Sequence, residues 1–271
     1  GLATPETVLL DSPEAVAQAE QSRSFPVVLK PRYSRWRAPD GSLRTGAVER
    51  IDRPEDLRVA WERLDAEIPS PLLQQFIPGA GMGVFALAER GRVVANFAHR
   101  RLREFPPSGG VSVLRESIEV PETLAKASAS LLASLDWHGV AMIEFRVDAL
   151  DGTPYVMEIN PRFWGSLQLA IDAGVDFPAL LYRVAVGEPL GSVEPGRVGL
   201  RSRWLLGDLN HLWLRLRPNR GPSPLAPGSP GRLGAIVRFL NPCAGRPEVW
   251  RLSDLRPALH ELRLYVKELL S

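Results

Sequence analysis

Cysteine is nearly absent from this sequence: Cys243 is the only one in 271 residues. That excludes an intramolecular disulfide framework and suits a reducing compartment, so a cytoplasmic protein is expected. Histidine is scarce too. His99, His138, His211 and His260 are scattered, and no His or Cys group has zinc-ligand spacing. Long apolar runs are missing. The most apolar stretch, 167–186, is broken by Asp172, Asp176 and Arg183, which excludes a membrane span there. No signal-peptide pattern opens the chain. Neither charge dominates: 33 Lys and Arg against 31 Asp and Glu leave a net +2. A general nucleic-acid binder shows a stronger basic excess. No internal repeat is present.

What remains is globular composition, 45% hydrophobic and 24% charged, in a chain long enough for two or three lobes. Ser12 and Pro13 open a short helix over 12–22. FPVVLKP (25–31) is apolar, β-branched and stopped by Pro31, which predicts a strand. Segment 32–47 reads as a loop and AVERI (47–51) as a strand. Leu57, Ala60, Trp61 and Leu64 predict a helix over 53–67. PLLQQFI (71–77) is a strand ending at Pro78-Gly79. GVFALAER and RVVANFAHRRL form a hairpin around Glu89–Arg92. SGGVSV (108–113) is a Gly-rich loop entering a strand. Helices are predicted over 121–136, 163–173 and 177–186. After about residue 190 the character changes. Trp204, Leu205, Leu206, Leu209, Leu212, Trp213 and Leu216 suggest an amphipathic helix packed on the body. Residues 217–234 read as a Pro/Gly/Ser-rich loop. A final helix over 254–271 carries Leu255, Leu259, Leu262 and Val266 on one side.

The chemistry concentrates in GVAMIEFRVDALDGTPYVMEIN, a second hairpin. Alternation puts Ala141, Ile143, Phe145 and Val147 on one face and Met142, Glu144, Arg146 and Asp148 on the other. On the return strand Tyr155, Met157 and Ile159 are the apolar face, and Val156, Glu158 and Asn160 the polar one. A three-residue loop, Leu150-Asp151-Gly152 with Gly152 left-handed, lets both apolar faces meet the core. It also places Glu144 opposite Glu158. Like charges at that spacing repel. Two carboxylates and an amide oxygen form a hard-oxygen set that suits Mg²⁺ or Mn²⁺ over zinc. Arg162, just after Asn160-Pro161, would stand beside such a metal, as a phosphate site needs. The plainer alternative is a hairpin with a solvated polar face.

With FPVVLKP and LLQQFIPG upstream, GVAMIEFRVDALDGTPYVMEINPRFWGS resembles the ATP-grasp superfamily. It is closest in style to the carbamoyl-phosphate-synthase-like and carboxylate–amine ligase branch. The resemblance covers residues 3–190. It implies an α+β ATP-grasp fold, two α+β lobes clasping ATP, with 15–72 as the lid, 73–79 as the hinge and 80–190 as the large lobe. Residues 191–271 become a C-terminal helical extension. Residues 1–14 resemble the linker after a Rossmann-like domain, so that N-terminal domain is expected to be missing.

The resemblance also implies roles. Lys30 would contact ATP phosphates. Gln74, Gln75, Phe76 and Ile77 match the hinge whose backbone binds adenine. Glu144, Glu158 and Asn160 match the metal ligands, and Arg162 the arginine on the transferring phosphate. Arg101, with His99, Arg100 and Arg103, lies where the family sets basic residues over the acceptor and acyl phosphate. Trp164-Gly165-Ser166 would begin a helix whose N–H groups could hold an anion. Each has a plainer alternative: a surface lysine, a core strand, a solvated face, a basic edge strand, a helix cap. Two departures stand out. Gln74 replaces the Glu of many relatives, and the lid segment RYSRWRAPDGSLRTG has only Gly41 and Gly46 with several arginines.

The implied activity is an ATP- and Mg²⁺-dependent ligase that activates a carboxylate as an acyl phosphate for attack by an amine or similar nucleophile. The alternatives are a regulatory nucleotide-binding module without turnover and an ATP-grasp phosphotransferase. The expected partners are small-molecule acids and amines, with no nucleic acid and no membrane. The oligomeric state is left open, a homo-oligomer included.

Overall fold

The chain divides into two units, Ala3–Pro78 and a larger one from Gly79 onward. The computed structural model describes every residue except 1, 39, 47, 108–109, 218–229 and 271. Most of the loop expected over 217–234, and the first two residues of SGGVSV, therefore lie outside the described residues.

The smaller unit runs β1 (Thr7–Leu9), α1 (Pro13–Ser22), β2 (Val27–Lys30), β3 (Trp36–Arg37), β4 (Leu43–Arg44), β5 (Glu49–Ile51), α2 (Pro54–Asp65) and β6 (Leu72–Gln75). Its antiparallel sheet has the order β1-β6-β2-β5. Ser12 caps α1 by accepting from the Ala15 N–H. Val27, Leu29, Ile51 and Leu73 share one sheet face and pack on Val16, Ala19, Leu57, Ala60 and Trp61 of the two helices. Each fully buried aliphatic side chain there contributes about 1.5–3 kcal/mol, more than a surface ion pair does. The apolar face therefore sets the register and leaves Thr7, Lys30 and Gln74 on the other face. The expected loop 32–47 contains a small hairpin of β3 and β4. It turns at Gly41, whose φ is +81°, with Asp40 accepting from the Ser42 N–H.

The larger unit continues with β7 (Gly79–Glu89), β8 (Arg92–Phe105), β9 (Val111–Ile118), α3 (Glu122–Ser134), β10 (Gly139–Asp148), β11 (Pro154–Asn160), α4 (Leu167–Ala173), α5 (Phe177–Ala185), β12 (Arg201–Arg203), α6 (Leu205–Leu216), α7 (Arg232–Leu240), β13 (Arg246–Pro247) and α8 (Arg256–Leu270). Its sheet order is β11-β10-β7-β8-β9-β12-β13. One face carries Val84, Ala86, Ala141, Ile143 and Phe145 against Leu124, Ala127 and Leu132 of α3. The other carries Phe85, Leu87, Ala95, Phe97 and Val140 against Leu169, Ala170, Phe177 and Val184 of α4 and α5. The helices cover that second face over only part of its length. Beyond Phe85 it turns polar.

Leu255, Leu259, Leu262 and Val266, expected on one side of the final helix, are all four exposed. The inward contacts of α8 are made by Ala258, which is buried, by Glu261, which accepts from Trp204 Nε1 at 2.5 Å, and by Tyr265, whose hydroxyl donates to Asn210 Oδ1 at 2.6 Å. The helix α6 packs through Leu206 and Leu212, whereas Leu209 and Trp213 of the expected apolar side are exposed. Among the described residues no helix is long and apolar enough to cross a membrane.

Gly79 opens the large sheet with φ +151°, and a Cβ there would lie 1.9 Å from the Val147 carbonyl oxygen. Gly79→Ala is expected to destabilise the protein by more than about 2 kcal/mol, read as a lower urea midpoint. An unchanged midpoint would mean that the β7–β10 pairing can move aside.

Candidate functional site

The β10–β11 register places Glu144 opposite Glu158, as the sequence predicts, but by another route. Asp148 and Thr153 close the turn, with the Asp148 N–H donating to the Thr153 carbonyl, so the loop is four residues long, 149–152. Gly152 is left-handed, with φ +76°. This loop alone would pair Glu144 with Met157. A bulge intervenes: Phe145 faces Val156 while Glu144 faces Glu158, so Met157 is the extra residue. Val156 therefore joins Ile159 against the core instead of sharing the polar face with Glu158. The driving force is burial of both apolar side chains, which strict alternation cannot deliver from positions three apart.

The polar row continues across the sheet. Glu144 faces Gly83 on β7, Gly83 faces His99 on β8, and His99 faces Ser117 on β9. Next along the strands, Gly81 lies between Arg146 and Arg101. Gly81 puts no side chain in the way, so Arg101 reaches across β7. Its Nη2 lies 2.6 Å from Glu144 Oε2, and its Nη1 donates to Glu104 Oε1 at 2.9 Å and to the Gly110 carbonyl at 3.1 Å. Burial pushes the Glu144 carboxyl up, Arg101 pulls it down and Glu158 pushes it up again, leaving it above the ordinary carboxylate range.

After Asn160 the chain turns at Pro161. The Arg162 N–H donates to the Asn160 carbonyl at 2.9 Å, a three-residue turn that suits the fixed φ of proline. Arg162 thereby swings back over the strand end, and its Nη2 donates to Asn160 Oδ1 at 3.3 Å. Asn160 Nδ2 donates to Glu158 Oε1 at 2.6 Å. Glu144, Glu158, Asn160 and Arg162 thus gather at one corner. Among the described residues no group of three or more His, Cys, Asp or Glu stands ready for a metal. The candidate set is two carboxylates and an amide, a hard-oxygen donor set that fits Mg²⁺ or Mn²⁺.

The other basic residues have partners that the sequence does not show. Arg100 donates to Glu116 at 2.8 Å. Leu102 is an extra residue in the β8–β9 ladder, since Arg101 faces Arg115 and Arg103 faces Leu114. Simple alternation would set Arg101 and Arg103 on one face of β8 with His99; the extra residue breaks it, and Arg103 pairs with the fully buried Asp208 of α6 at 3.1 Å. Asp208 also accepts from Arg203 Nε at 2.6 Å. Its place in the apolar pattern of α6 gave one signal, an acid where a buried helix face was expected. The helix expected from 163 begins at Leu167 and has seven residues, so Trp164-Gly165-Ser166 precede it. Ser166 is buried, with Oγ 2.8 Å from His99 Nε2.

In the smaller unit Lys30 Nζ donates to Gln74 Oε1 at 3.1 Å, and Gln74 Nε2 donates to Thr7 Oγ1 at 3.0 Å. Both ends of the amide are used, which explains a Gln where a Glu would carry a charge. Gln75 Oε1 accepts from the Glu6 N–H at 3.2 Å. Arg50 stacks over the Phe76 ring at 4.4 Å, and Ile77 is buried. These side chains are committed internally, and the Gln75 N–H donates to the Glu6 carbonyl at 2.8 Å.

Burial first, then Arg115 and Arg101, hold His99 well below the ordinary histidine range. A base lowered in the folded state stabilises above its unfolded pKa and loses that contribution as pH falls through it. Below about pH 6.5 only the unfolded chain takes up the proton, which costs about 1.4 kcal/mol per pH unit. His99→Asn is expected to remove this dependence. In urea unfolding at about pH 7.5 and about pH 5.5, the gap between the two proteins should shift by about 1–1.5 kcal/mol. A constant gap would show that folded His99 titrates normally.

Known proteins resemble this chain in sequence and in fold. The family model described as ATP-grasp in the biosynthetic pathway with Ter operon matches residues 67–207. The carbamoyl phosphate synthase large chain of Thermus thermophilus is 28% identical over 201 residues, 70% of this chain and 18% of that one. Its counterpart in Deinococcus deserti is 26% identical over 204 residues, 71% and 19% of the two chains. The chain therefore spans about a fifth of the length of these curated relatives. Among solved structures, an N5-carboxyaminoimidazole ribonucleotide synthetase in an ADP complex superposes with a TM-score of 0.58 at 20% identity, over 74% of this chain and 51% of that one. The biotin carboxylase domain of Hydrogenobacter thermophilus 2-oxoglutarate carboxylase, in complex with MgADP, ADP and bicarbonate, gives 0.58 at 18% identity, over 74% and 46%. These likenesses show the fold. Together with the family match over half of the chain, they establish that the protein belongs to the ATP-grasp superfamily, in the family described as ATP-grasp in the biosynthetic pathway with Ter operon.

Proposed function

We propose that this chain carries an ATP-dependent ligase activity that activates a carboxylate as an acyl phosphate for attack by an amine or similar nucleophile. The supporting observation is the corner where Glu144 and Glu158 oppose each other beside Asn160 and Arg162. Glu144, Glu158 and the amide oxygen of Asn160 would hold Mg²⁺ or Mn²⁺. When bound, the metal would neutralise charge on phosphate oxygens. Arg162, now on the Asn160 oxygen, would turn its guanidinium to the transferring phosphate, for which its planar donors are suited. Lys30 would supply a point charge to the nucleotide phosphates. Gln74 orients Lys30 and acts through it. The backbone of Phe76 and Ile77, at the end of the segment that begins with Gln74 and Gln75, would take the adenine edge.

In the first step a carboxylate oxygen of the acid attacks the γ-phosphorus, and the bond to the ADP oxygen breaks. In the second the amine attacks the acyl carbon, phosphate leaves, and the amine loses a proton. Arg101, 11% exposed at its side chain, lies on the same polar face and would stabilise the anionic groups. The substrates would be small molecules in the cytoplasm, with no nucleic acid or membrane involved.

Calorimetric titration of ATP with and without Mg²⁺ tests this reading. Wild type is expected to bind only with Mg²⁺, and Glu158→Gln to lose at least about tenfold in affinity while keeping its fold, a loss of about 1.4 kcal/mol. Mg²⁺-independent binding of equal strength in both proteins would sink the metal assignment.

A further inference from the structure

Two carboxylates face each other across adjacent strands, and one of them, Glu144, is largely buried. Such a pair needs a cation. Arg101 fills that need from β8, two strands away, or about 10 Å at the usual strand spacing. Its path crosses β7 where the sequence has Gly81 and Gly83. A Cβ on Gly81 would stand 3.2 Å from Arg101 Cδ, so the glycine leaves the channel through which the side chain lies.

The two terminal nitrogens of Arg101 have separate duties. Nη2 serves Glu144, whereas Nη1 serves Glu104 and the Gly110 carbonyl. One attachment can therefore break while the other holds. A divalent ion between Glu144 and Glu158 supplies more positive charge than the guanidinium and repels it.

We propose that Arg101 is the resident counter-cation of the Glu144–Glu158 pair: it releases Glu144 when a divalent metal binds and stays tethered through Glu104. The inference rests on the metal reading given above. Metal entry and the freeing of Arg101 Nη2 are then one event. The freed N–H becomes a donor for an anionic oxygen, a carboxylate or phosphate of a substrate. Metal occupancy and anion affinity are coupled through a single side chain, and by linkage each raises the other.

Two measurements test this without relying on turnover. Binding of Mn²⁺ alone is measured by electron paramagnetic resonance in wild type, Arg101→Met and Glu158→Gln. The guanidinium ¹⁵N resonance of Arg101, identified by its loss in Arg101→Met, is followed while Mg²⁺ is added to wild type. Removing the competitor is expected to tighten Mn²⁺ binding by about tenfold, and the wild-type resonance is expected to shift in step with Mg²⁺ occupancy. Equal or weaker Mn²⁺ binding by folded Arg101→Met overturns the proposal. So does a resonance that stays put while wild type fills with metal. Should Arg101→Met fail to fold, Arg101→Lys, which also lacks the guanidinium, identifies the resonance, and its response to Mg²⁺ in wild type decides. If wild type and Arg101→Met both bind no Mn²⁺, and Glu158→Gln behaves the same, the metal site itself is wrong and the inference falls with it.

Discussion

The larger unit depends on a conflict between the two faces of one hairpin. On one face Ile143 and Phe145 are fully buried against the α3 core, each worth about 1.5–3 kcal/mol, and Val156 and Ile159 pack beside them partly buried. On the other, the same register sets Glu144 against Glu158, a repulsion of roughly 0.2–1 kcal/mol for a directly opposed pair. Burial wins and the carboxylates are forced together. The surroundings answer that constraint. Arg101 crosses the sheet to Glu144, Gly81 clears its path, and Asn160 and Arg162 satisfy the exposed end.

The C-terminal extension is tied to this sheet by buried charge. Arg115 on β9 pairs with Glu248, which also accepts from the Ser202 hydroxyl at 2.6 Å. Arg103 and Arg203 share Asp208. Breaking one partner of such a buried pair typically costs about 3–5 kcal/mol, although the intact pair adds little net stability. These pairs therefore act as alignment pins. They fix where α6 and β13 sit on the sheet that carries the polar row.

Local signals made much of this legible in the sequence. The β-branched run at 27–30, the helical spacing of Leu57, Ala60 and Trp61, and the alternation along 139–148 each encode an element without reference to distant residues. The opposition of Glu144 and Glu158 was legible because an apolar face on each strand restricts the register. What escaped depends on backbone irregularity or on long-range pairing. The bulges at Met157 and Leu102 change which way later side chains point, and no residue type announces them. Val156 looks polar-facing, and Arg103 looks like a partner of Arg101, until the extra residue is counted. Asp208 meets Arg103, and Glu248 meets Arg115, only where the extension folds back on the sheet. The inward side of α8 is chosen by Ala258, Glu261 and Tyr265 because their partners Trp204 and Asn210 lie on another helix. A hydrophobic count alone favours the leucines.

The strand order β11-β10-β7-β8-β9 has a kinetic meaning. The pairs β7–β8, β8–β9 and β10–β11 join neighbours in the chain and can close early, whereas β10 must find β7 across two strands and a helix. Among these five strands it is the pairing that closes the longest loop, and so carries the largest closure entropy. It is also the event that delivers Arg101 to Glu144. Before it, the β10–β11 hairpin holds two like charges with no nearby guanidinium. After it, the charge is compensated and α3 is sealed beneath. Pairing of β10 with β7 and assembly of the polar row are thus a single event, so a β10–β11 hairpin not yet paired with β7 would hold the acids of the corner without their arginine.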